Sequence, residues 1–257
     1  MAEPTEGKTI EKIAEVAHQA VVAESAPAPV RRYRASLFRV ALVSLVVAFA
    51  VLTFLVKTTP SFATDVRITR TIQSINFPTF ATLMNLVSWP GFDPQAMIIT
   101  GLIILLIYGL GLHWEAVMAL IVAVSTTALN VLVKDLIQRP RPTPDLVNVF
   151  ATLKSYSFPS GHVMFYLDFF GFIAFLVFSL LKPSFKRTLL LALLGSLVIM
   201  IGFSRIYLGE HWASDVLGSY LLGSLTLVAI IQFYLWGKTR FFVHQPVAMA
   251  EPLRQKT

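Results

Sequence analysis

The chain has 257 residues, of which 56% are hydrophobic and only 14% are Asp, Glu, Lys or Arg. Soluble domains are about one quarter charged, so this composition excludes a water-soluble globule, and with it a disordered or coiled-coil chain. The net charge of +7 by itself suggests nucleic acid as a partner, but the position of each charge matters more than the sum, and we predict an integral membrane protein with no nucleic-acid partner.

The first 36 residues differ from the rest, because they hold ten of the 35 charges. Acidic and apolar residues alternate there with weak helical spacing, and Ser25–Val30 follows as a proline-containing linker. We predict a cytoplasmic amphipathic leader and linker over 1–36. The next apolar run, Leu37–Val56, is too long for a cleaved signal peptide ending at Ser61–Ala63, so a retained first helix is favoured.

Six apolar stretches each have about the length that a helix needs to cross a bilayer. They are too long for barrel strands, and a backbone in lipid must satisfy its own hydrogen bonds. We therefore predict an all-α polytopic membrane protein, a six-transmembrane-helix bundle over 37–236 with a cytoplasmic tail at 237–257. The predicted spans are Leu37–Val56, Pro94–Leu112, Ala116–Val133, Val163–Leu181, Thr188–Phe203 and Trp212–Trp236.

The orientation of the bundle follows from the Lys and Arg residues near the span ends. With the N-terminus inside, nine basic residues lie on the inner flanks and eight on the outer side, which decides nothing. If chemistry explains three of the outer residues, the count becomes nine to five and favours cytoplasmic termini in the plasma membrane. The outer segment 64–90 has apolar residues at helical spacing, so we expect short interfacial helices there.

Polar residues that are costly at membrane depth cluster at the outer ends of spans three to six. Span three ends at Lys134, the following loop holds Arg141, and span five ends at Arg205. In a six-helix serpentine these ends share one face of the membrane, so distant residues can converge. Two of the three cations are arginines, whose planar forks suit phosphate oxygens.

The start of span four adds backbone donors to this site. Ser160 stands at an N-cap position, and Gly161 allows close approach of the backbone. The first turn then presents free N–H groups and the positive end of the helix dipole to an anion. A phosphoryl group is the obvious ligand.

Two histidines can act on such a ligand without a metal or cofactor. His211 and Asp215 are four residues apart at the start of span six, so the carboxylate can orient the imidazole for nucleophilic attack. His162 lies on another helix and can protonate a leaving alkoxide. Each piece alone also has a plainer interpretation: a cation can anchor a span end in the interface, and a His–Asp pair can be a simple helix-end hydrogen bond.

Three short motifs together resemble the signature of the type 2 phosphatidic acid phosphatase superfamily, which also includes vanadium-dependent haloperoxidases and glucose-6-phosphatase. Eleven positions match in order and spacing. They are Lys134, Arg141 and Pro142; Pro159, Ser160, Gly161 and His162; and Ser204, Arg205, His211 and Asp215.

The resemblance implies that His211 is the nucleophile that forms a phosphohistidine, Asp215 its partner and His162 the general acid. It further implies metal-independent phosphate binding by Lys134, Arg141, Ser160, Gly161 and Arg205. The six-span layout is similar to bacterial phosphatases of the phosphatidylglycerophosphate and undecaprenyl pyrophosphate type. We therefore expect a phospholipid or polyprenyl phosphate as substrate and a site on the outer face. A phosphotransferase, a vanadate haloperoxidase and a lipid or anion transporter remain as alternatives.

One residue departs from the family pattern. Asp168 lies six residues beyond His162, which places it about 120° away around the helix and about 9 Å deeper. We expect it to pair with a polar group on a neighbouring span. Asn130 lies one turn before Lys134, where it can either support the site or form an interhelical hydrogen bond.

Overall fold

The computed structural model describes residues 28–75 and 77–242, and every element of regular secondary structure in these ranges is helical. The predicted amphipathic pattern of the leader and most of the predicted tail lie outside the described residues. Helix α1, Ala28–Thr58, begins before the predicted first span and includes the last residues of the predicted linker. The chain divides between Ser44 and Leu45 into two compact units, and the site described below lies entirely in the second.

Within the described residues, seven further helices follow α1, and a short π-helical segment at Lys238–Phe242 follows the last of them. Two short helices occupy the segment in which interfacial helices were expected, and a 3₁₀ turn at Trp89–Gly91 follows the second of them. The helices are α2 (Ala63–Gln73), α3 (Pro78–Ser88), α4 (Gln95–Gly109), α5 (His113–Ile137), α6 (Gly161–Leu180), α7 (Phe185–Tyr207) and α8 (Ala213–Gly237).

In the part of the chain that the structure describes, five helices are long and apolar enough to cross a membrane: α1, α5, α6, α7 and α8. The all-α polytopic fold is therefore confirmed. Helix α4 has 15 residues, fewer than the predicted span Pro94–Leu112, because the chain turns at Gly111 with a φ of +79°, a left-handed conformation that favours glycine. A sixth crossing results only if α3 and α4, which are bent by 60° at the break between them, count as one span.

Helix α6 is the central helix, because it packs against α5, α7 and α8. Its middle part, Tyr166–Phe170, is a π-helical segment, and the aromatic rings of Tyr166 and Phe169 are fully buried there. Helix α3 packs on α7, and α4 on α5. The first turn of α6 is thereby held against the ends of the neighbouring helices.

Two interhelical hydrogen bonds concern residues that the sequence singled out. The hydroxyl of Thr126 on α5 donates to Oδ2 of Asp168 on α6 at 2.7 Å, which confirms the expected pairing across spans. Nδ2 of Asn130 donates to the carbonyl of Pro159 at 3.2 Å. Asn130 therefore supports the loop just before α6.

Candidate active site

The three cations predicted from the span ends are brought together through shared partners. Lys134 and Arg141 both donate to the carbonyl oxygen of Tyr156, Arg141 through Nη2 at 3.3 Å. Arg205 forms an ion pair with the Glu210 carboxylate, and the Glu210 carbonyl accepts from Arg141 Nη1 at 2.6 Å. The convergence of helix ends expected from a serpentine topology is therefore present.

Arg141 is held by the loop that connects α5 to α6. The left-handed conformation of Gln138, with a φ of 57°, ends α5 and turns the chain towards Arg141. Nε of Arg141 donates to the Ser155 carbonyl at 2.6 Å and Nη2 to the Ser155 hydroxyl at 2.9 Å. Burial lowers the pKa of Arg141 to about 10, against the opposing effect of Asp215. The guanidinium therefore keeps its charge at neutral pH.

His211 lies directly against this guanidinium, with 3.2 Å between its Nε2 and Arg141 Nη1. Burial, followed by the charges of Arg141 and Lys134, holds the pKa of His211 well below its usual value, so the ring is neutral at pH 7. Because arginine can only donate, Nε2 is the nitrogen without a proton. The proton of the neutral ring is then on Nδ1, which faces Asp215.

Asp215 is close to His211 but not hydrogen-bonded to it, since Nδ1 and Oδ2 are 3.6 Å apart. The two residues do not share a helical face, because α8 begins at Ala213 and the extended Trp212 separates them. Oδ2 of Asp215 instead accepts from the Ser157 hydroxyl at 2.5 Å and from the Trp212 amide at 2.9 Å. The predicted hydrogen bond from His211 to Asp215 is therefore not formed, and the Asp215 carboxylate is fixed by other donors.

Ser160 occupies the predicted N-cap position of α6, but its side chain makes no capping hydrogen bond. Its hydroxyl is buried and has no hydrogen-bond partner among the described residues, while its amide donates to the Ser219 hydroxyl at 2.7 Å. At Gly161, an added Cβ would lie 3.1 Å from Oδ1 of Asn130. A side chain at this position would require Asn130 to shift by a few tenths of an ångström, and the predicted approach of the Gly161 backbone to an anion stays a prediction.

His162 packs against the bend between α3 and α4. Its ring meets that of Phe92 edge-on with centroids 4.6 Å apart, and the Arg205 guanidinium lies 5.2 Å from the same ring. A Cβ added at Gly91 would come within 2.4 Å of His162 Cδ2. Nε2 of His162 is buried and has no hydrogen-bond partner in the described part of the chain. The bend therefore forms the wall of the site beside His162.

Sequence reasoning missed Arg139, which was counted among the outer basic residues. The structure buries its side chain completely between two carboxylates, 2.6 Å from Asp215 Oδ1 and 2.9 Å from Asp65 Oδ2. Asp65 lies on α2, where it and Thr69, one turn later, are buried while Ile68 is exposed. This polar face was the available signal, since a helix at a membrane surface can turn its apolar side to lipid and its polar side to protein.

Glu210 was also missed, although it directly precedes His211. Its side chain is 2% exposed where it pairs with Arg205. Ser88, at the end of α3, accepts from Arg205 Nη1 at 3.1 Å. A carboxylate and a hydroxyl thus share a guanidinium that the motifs assign to phosphate.

Comparison with known proteins shows a match to one family over a part of the chain that contains the motif residues of this site. Residues 114–238 match the model of the PAP2 superfamily. Phosphatidylglycerophosphatase B of Bacillus subtilis is 36% identical over 124 residues, 47% of this chain and 58% of the relative, so the match spans little more than half the length of that relative. Dolichyldiphosphatase 1 of Rhinolophus ferrumequinum is 28% identical over 172 residues, 63% of this chain and 70% of the relative.

Two solved structures share the fold. The transmembrane PAP2 type phosphatidylglycerolphosphate phosphatase from Bacillus subtilis has a TM-score of 0.68 and 28% identity, and the match covers 78% of this chain and 98% of that one. Aquifex aeolicus LpxE has a TM-score of 0.56 and 20% identity, with 68% of this chain and 98% of that one covered. At 20% identity the second likeness concerns the fold alone.

Proposed function

We propose that this chain, which carries a PAP2 superfamily domain over residues 114–238 as its motifs predicted, is an integral membrane phosphatase that hydrolyses the terminal phosphate of a lipid. Its similarity to a phosphatidylglycerophosphatase and to a dolichyldiphosphatase supports a lipid monophosphate or diphosphate as substrate. Phosphatidate, phosphatidylglycerophosphate and undecaprenyl pyrophosphate are the candidates.

One observation carries this proposal: near the three cations lie buried polar atoms that have no hydrogen-bond partner among the described residues. They include the Ser160 hydroxyl, Nε2 of His162 and Nε of Arg205. Buried polar groups nearly always have hydrogen-bond partners, so a set of orphans next to excess positive charge indicates an anionic ligand with several acceptor oxygens. A phosphoryl group has that chemistry, and the start of a helix such as α6 favours an anion.

The first chemical step follows from the protonation state of His211, whose ring is neutral and carries its proton on Nδ1. Its unprotonated Nε2 attacks phosphorus in line, forming an N–P bond while the O–P bond to the lipid breaks. His162, in its protonated form, gives a proton to the departing oxygen. The charge on the equatorial oxygens is stabilised by Lys134, Arg141 and Arg205, and such positioning dominates phosphoryl transfer.

The second step regenerates the enzyme. His162, now neutral, takes a proton from water as the water oxygen attacks the phosphohistidine. The N–P bond breaks, inorganic phosphate leaves and His211 returns to its neutral form. Asp215 faces Nδ1 throughout and stabilises the positive charge that the ring carries in the intermediate.

The direction of the site follows from the distribution of basic residues. With Lys134, Arg141 and Arg205 assigned to phosphate, the inner flanks hold nine basic residues against five outside, so both termini are cytoplasmic and the site opens on the outer face. Substrate then reaches it laterally, with its tails still in the bilayer.

Phosphate release from mixed micelles of each candidate lipid tests the function. We expect the wild-type chain to release phosphate from at least one lipid, without loss in EDTA, and His211→Gln to release none while eluting as the same monodisperse species in detergent. Full activity of His211→Gln would overturn the nucleophile assignment. Activity lost in EDTA and restored by added metal would overturn the metal-free scheme.

A further inference from the structure

A chain of buried contacts runs from the phosphate-binding cations through the His–Asp pair to helix α2. Arg141 meets Nε2 of His211, Nδ1 of His211 faces Oδ2 of Asp215, and Oδ1 of Asp215 meets Arg139. Arg139 then reaches Asp65 on α2. Arg139 and Arg141 flank a single proline, so this tripeptide places one guanidinium at each end of the His–Asp pair.

Each of the three side-chain nitrogens of Arg139 donates a hydrogen bond within this network. Nη1 donates to Asp215 Oδ1 at 2.6 Å and to the Ser214 hydroxyl at 2.7 Å. Nη2 donates to Asp65 Oδ2 at 2.9 Å, and Nε to the Pro60 carbonyl at 3.0 Å. A fork with this many partners has one orientation, which is the reason that arginine suits buried ion pairs better than lysine.

Asp65 binds the same helix start from the other side. Its Oδ1 accepts from the Ser214 amide at 2.9 Å, and its Oδ2 accepts from the Ser214 hydroxyl at 2.7 Å. Asp65 therefore satisfies a first-turn amide of α8, as a capping side chain does. Through Asp65, helix α2 is attached to the residue next to Asp215.

We propose that Arg139 and Asp65 are positioning residues, which hold the Asp215 carboxylate towards His211 and set how much of its charge acts on the ring. The inference rests on the proposed role of His211 and deepens it. Neither residue belongs to the motif positions that predicted the site.

The hydrogen bonds of Asp215 show how Arg139 helps to fix the orientation of its carboxylate. Arg139 fixes Oδ1, while Ser157 and the Trp212 amide fix Oδ2, so the carboxylate cannot rotate. Oδ2 stays 3.6 Å from Nδ1 of His211. In the intermediate this distance can shorten to an ion pair without any rearrangement of the carboxylate.

The net charge of Asp65, Arg139 and Asp215 determines how strongly this group of residues acts on the His211 ring. One guanidinium lies between two carboxylates, so the three groups keep one net negative charge. If Arg139 faced Asp215 alone, their pair would be neutral and His211 would experience less of the negative charge. Asp65 thus preserves the effect of Asp215 on the ring.

The test measures the titration of His211 and kcat in the same variants. The other ionisable groups that face His211 from the packed elements stay unchanged: Lys134 on α5, Arg141 in the loop, His162 on α6, Arg205 on α7 and Glu210 beside it. In ¹⁵N-histidine-labelled protein in detergent, the His211 signal is one of five histidines and is assigned with His211→Gln.

Removing the two charges separately has opposite expected effects on the ring. Arg139→Gln removes a positive charge, so His211 should protonate at a pH higher by on the order of one unit. Asp65→Asn removes a negative charge, so His211 should stay neutral to a lower pH. Each variant should lower kcat about 10- to 100-fold, as the loss of a supporting partner typically does, with little change in KM.

The double variant Asp65→Asn, Arg139→Gln distinguishes a positioning role of the two residues from a purely structural role. It restores the wild-type net charge behind Asp215, so the His211 titration should return towards wild type and the loss of kcat should be smaller than the product of the single losses. Arg139→Lys should keep the titration near wild type but retain part of the kcat loss, because it lacks the fork. Asp145→Asn, at an exposed loop position, is the matched control.

Two results would overturn the proposal: single variants with unchanged His211 titration and kcat, or a double variant whose loss equals the product of the single losses while His211 titrates as in wild type. Wild-type phosphate release reports on the proposed function separately. If the wild-type chain hydrolyses no lipid phosphate, the NMR titration still decides whether Arg139 and Asp65 act on His211.

Discussion

Helix α5 has a buried charged group at each end, and the two ends differ in how those charges are balanced. At its start, Glu115 accepts from the Tyr234 hydroxyl at 2.9 Å and from Lys238 Nζ at 2.6 Å. At its other end, about 28 Å away, lies Lys134. In this first cluster one anion pairs with one cation, and the Glu115 carboxylate accepts hydrogen bonds from both Tyr234 and Lys238.

The cluster around Lys134 is not balanced in this way. Of its three cations, Arg205 alone forms an ion pair with a carboxylate among the described residues, that of Glu210, and the Ser160 hydroxyl and His162 Nε2 have no hydrogen-bond partners there. Burial of charge is common to both ends, so burial does not distinguish the proposed site from the other end. The distinguishing feature is unbalanced charge together with orphaned donors.

Among the changes that test this comparison, the largest effect is expected from removing one of the three cations near Lys134. Arg141→Gln should lower kcat/KM by on the order of 10²–10³, the usual loss for one donor to a developing oxyanion. The control is Arg187→Gln, because Arg187 also donates to a backbone carbonyl, that of Phe178 at 2.8 Å, but lies at the opposite end of its helix bundle. Equal losses in both variants, measured as phosphate release, would remove the distinction between the two ends.

A smaller effect is expected at the bend beside His162. Gly91→Ala should displace the His162 ring, since the new Cβ would lie 2.4 Å from Cδ2, and kcat should fall by about 10-fold, part of what a general acid contributes. Gly101→Ala is the matched control, because a Cβ added there meets nothing within 4 Å. Unchanged kcat in Gly91→Ala, from single-turnover kinetics, would show that the bend does not position the acid.

Replacing Glu210 would increase the excess of positive charge around Lys134, Arg141 and Arg205. Glu210→Gln removes the carboxylate that pairs with Arg205, so inorganic phosphate should inhibit roughly three- to tenfold more strongly. The inhibition constant of phosphate in the micelle assay measures this. Weaker inhibition than in wild type would mean that Glu210 supports the phosphate site instead of competing with its ligand.

The smallest effect on activity is expected at the balanced end. Glu115→Gln should leave kcat within about twofold, since the residue lies one helix length from His211. It should lower the thermal midpoint in detergent by about 2–4 °C, because it weakens a pair whose lysine is partly exposed. A large kcat loss in well-folded Glu115→Gln would contradict the conclusion that the end of α5 at Glu115 has no part in activity.

The sequence sufficed for the helices and for the convergence of the site, because both depend on local patterns. Apolar length defines the long helices, and their alternation places Lys134, Arg205 and His211 on one face. The roles of these residues stay predictions that the proposed experiments test. The short helix α4 was not foreseen, because apolar composition continues through Gly111 while the backbone turns there.

The network behind His211 could not be predicted for a different reason. Arg139 and Asp65 are 74 residues apart, and in sequence each looks like a charge at a membrane surface. Only the packing of α2 against α8 makes them partners. Similarly, the separation of His211 from helix α8 depends on the extended Trp212, which spacing alone does not show.

The π-helical segment of α6 lets the turn that carries His162 keep its orientation when one residue is removed from that segment. A π turn accommodates one residue more than an α turn, because its hydrogen bonds run from i to i+5. Deleting one residue from Tyr166–Phe170 would let the segment relax to α geometry. The turn that carries His162 would then keep nearly the same orientation relative to Gly171–Leu180, because the π segment had already accommodated the extra residue. Deleting a residue from an α-helical part between His162 and Leu180 would instead rotate that turn by about 100°. The π segment is therefore the place in this helix where the loss of one residue leaves the orientation of His162 unchanged.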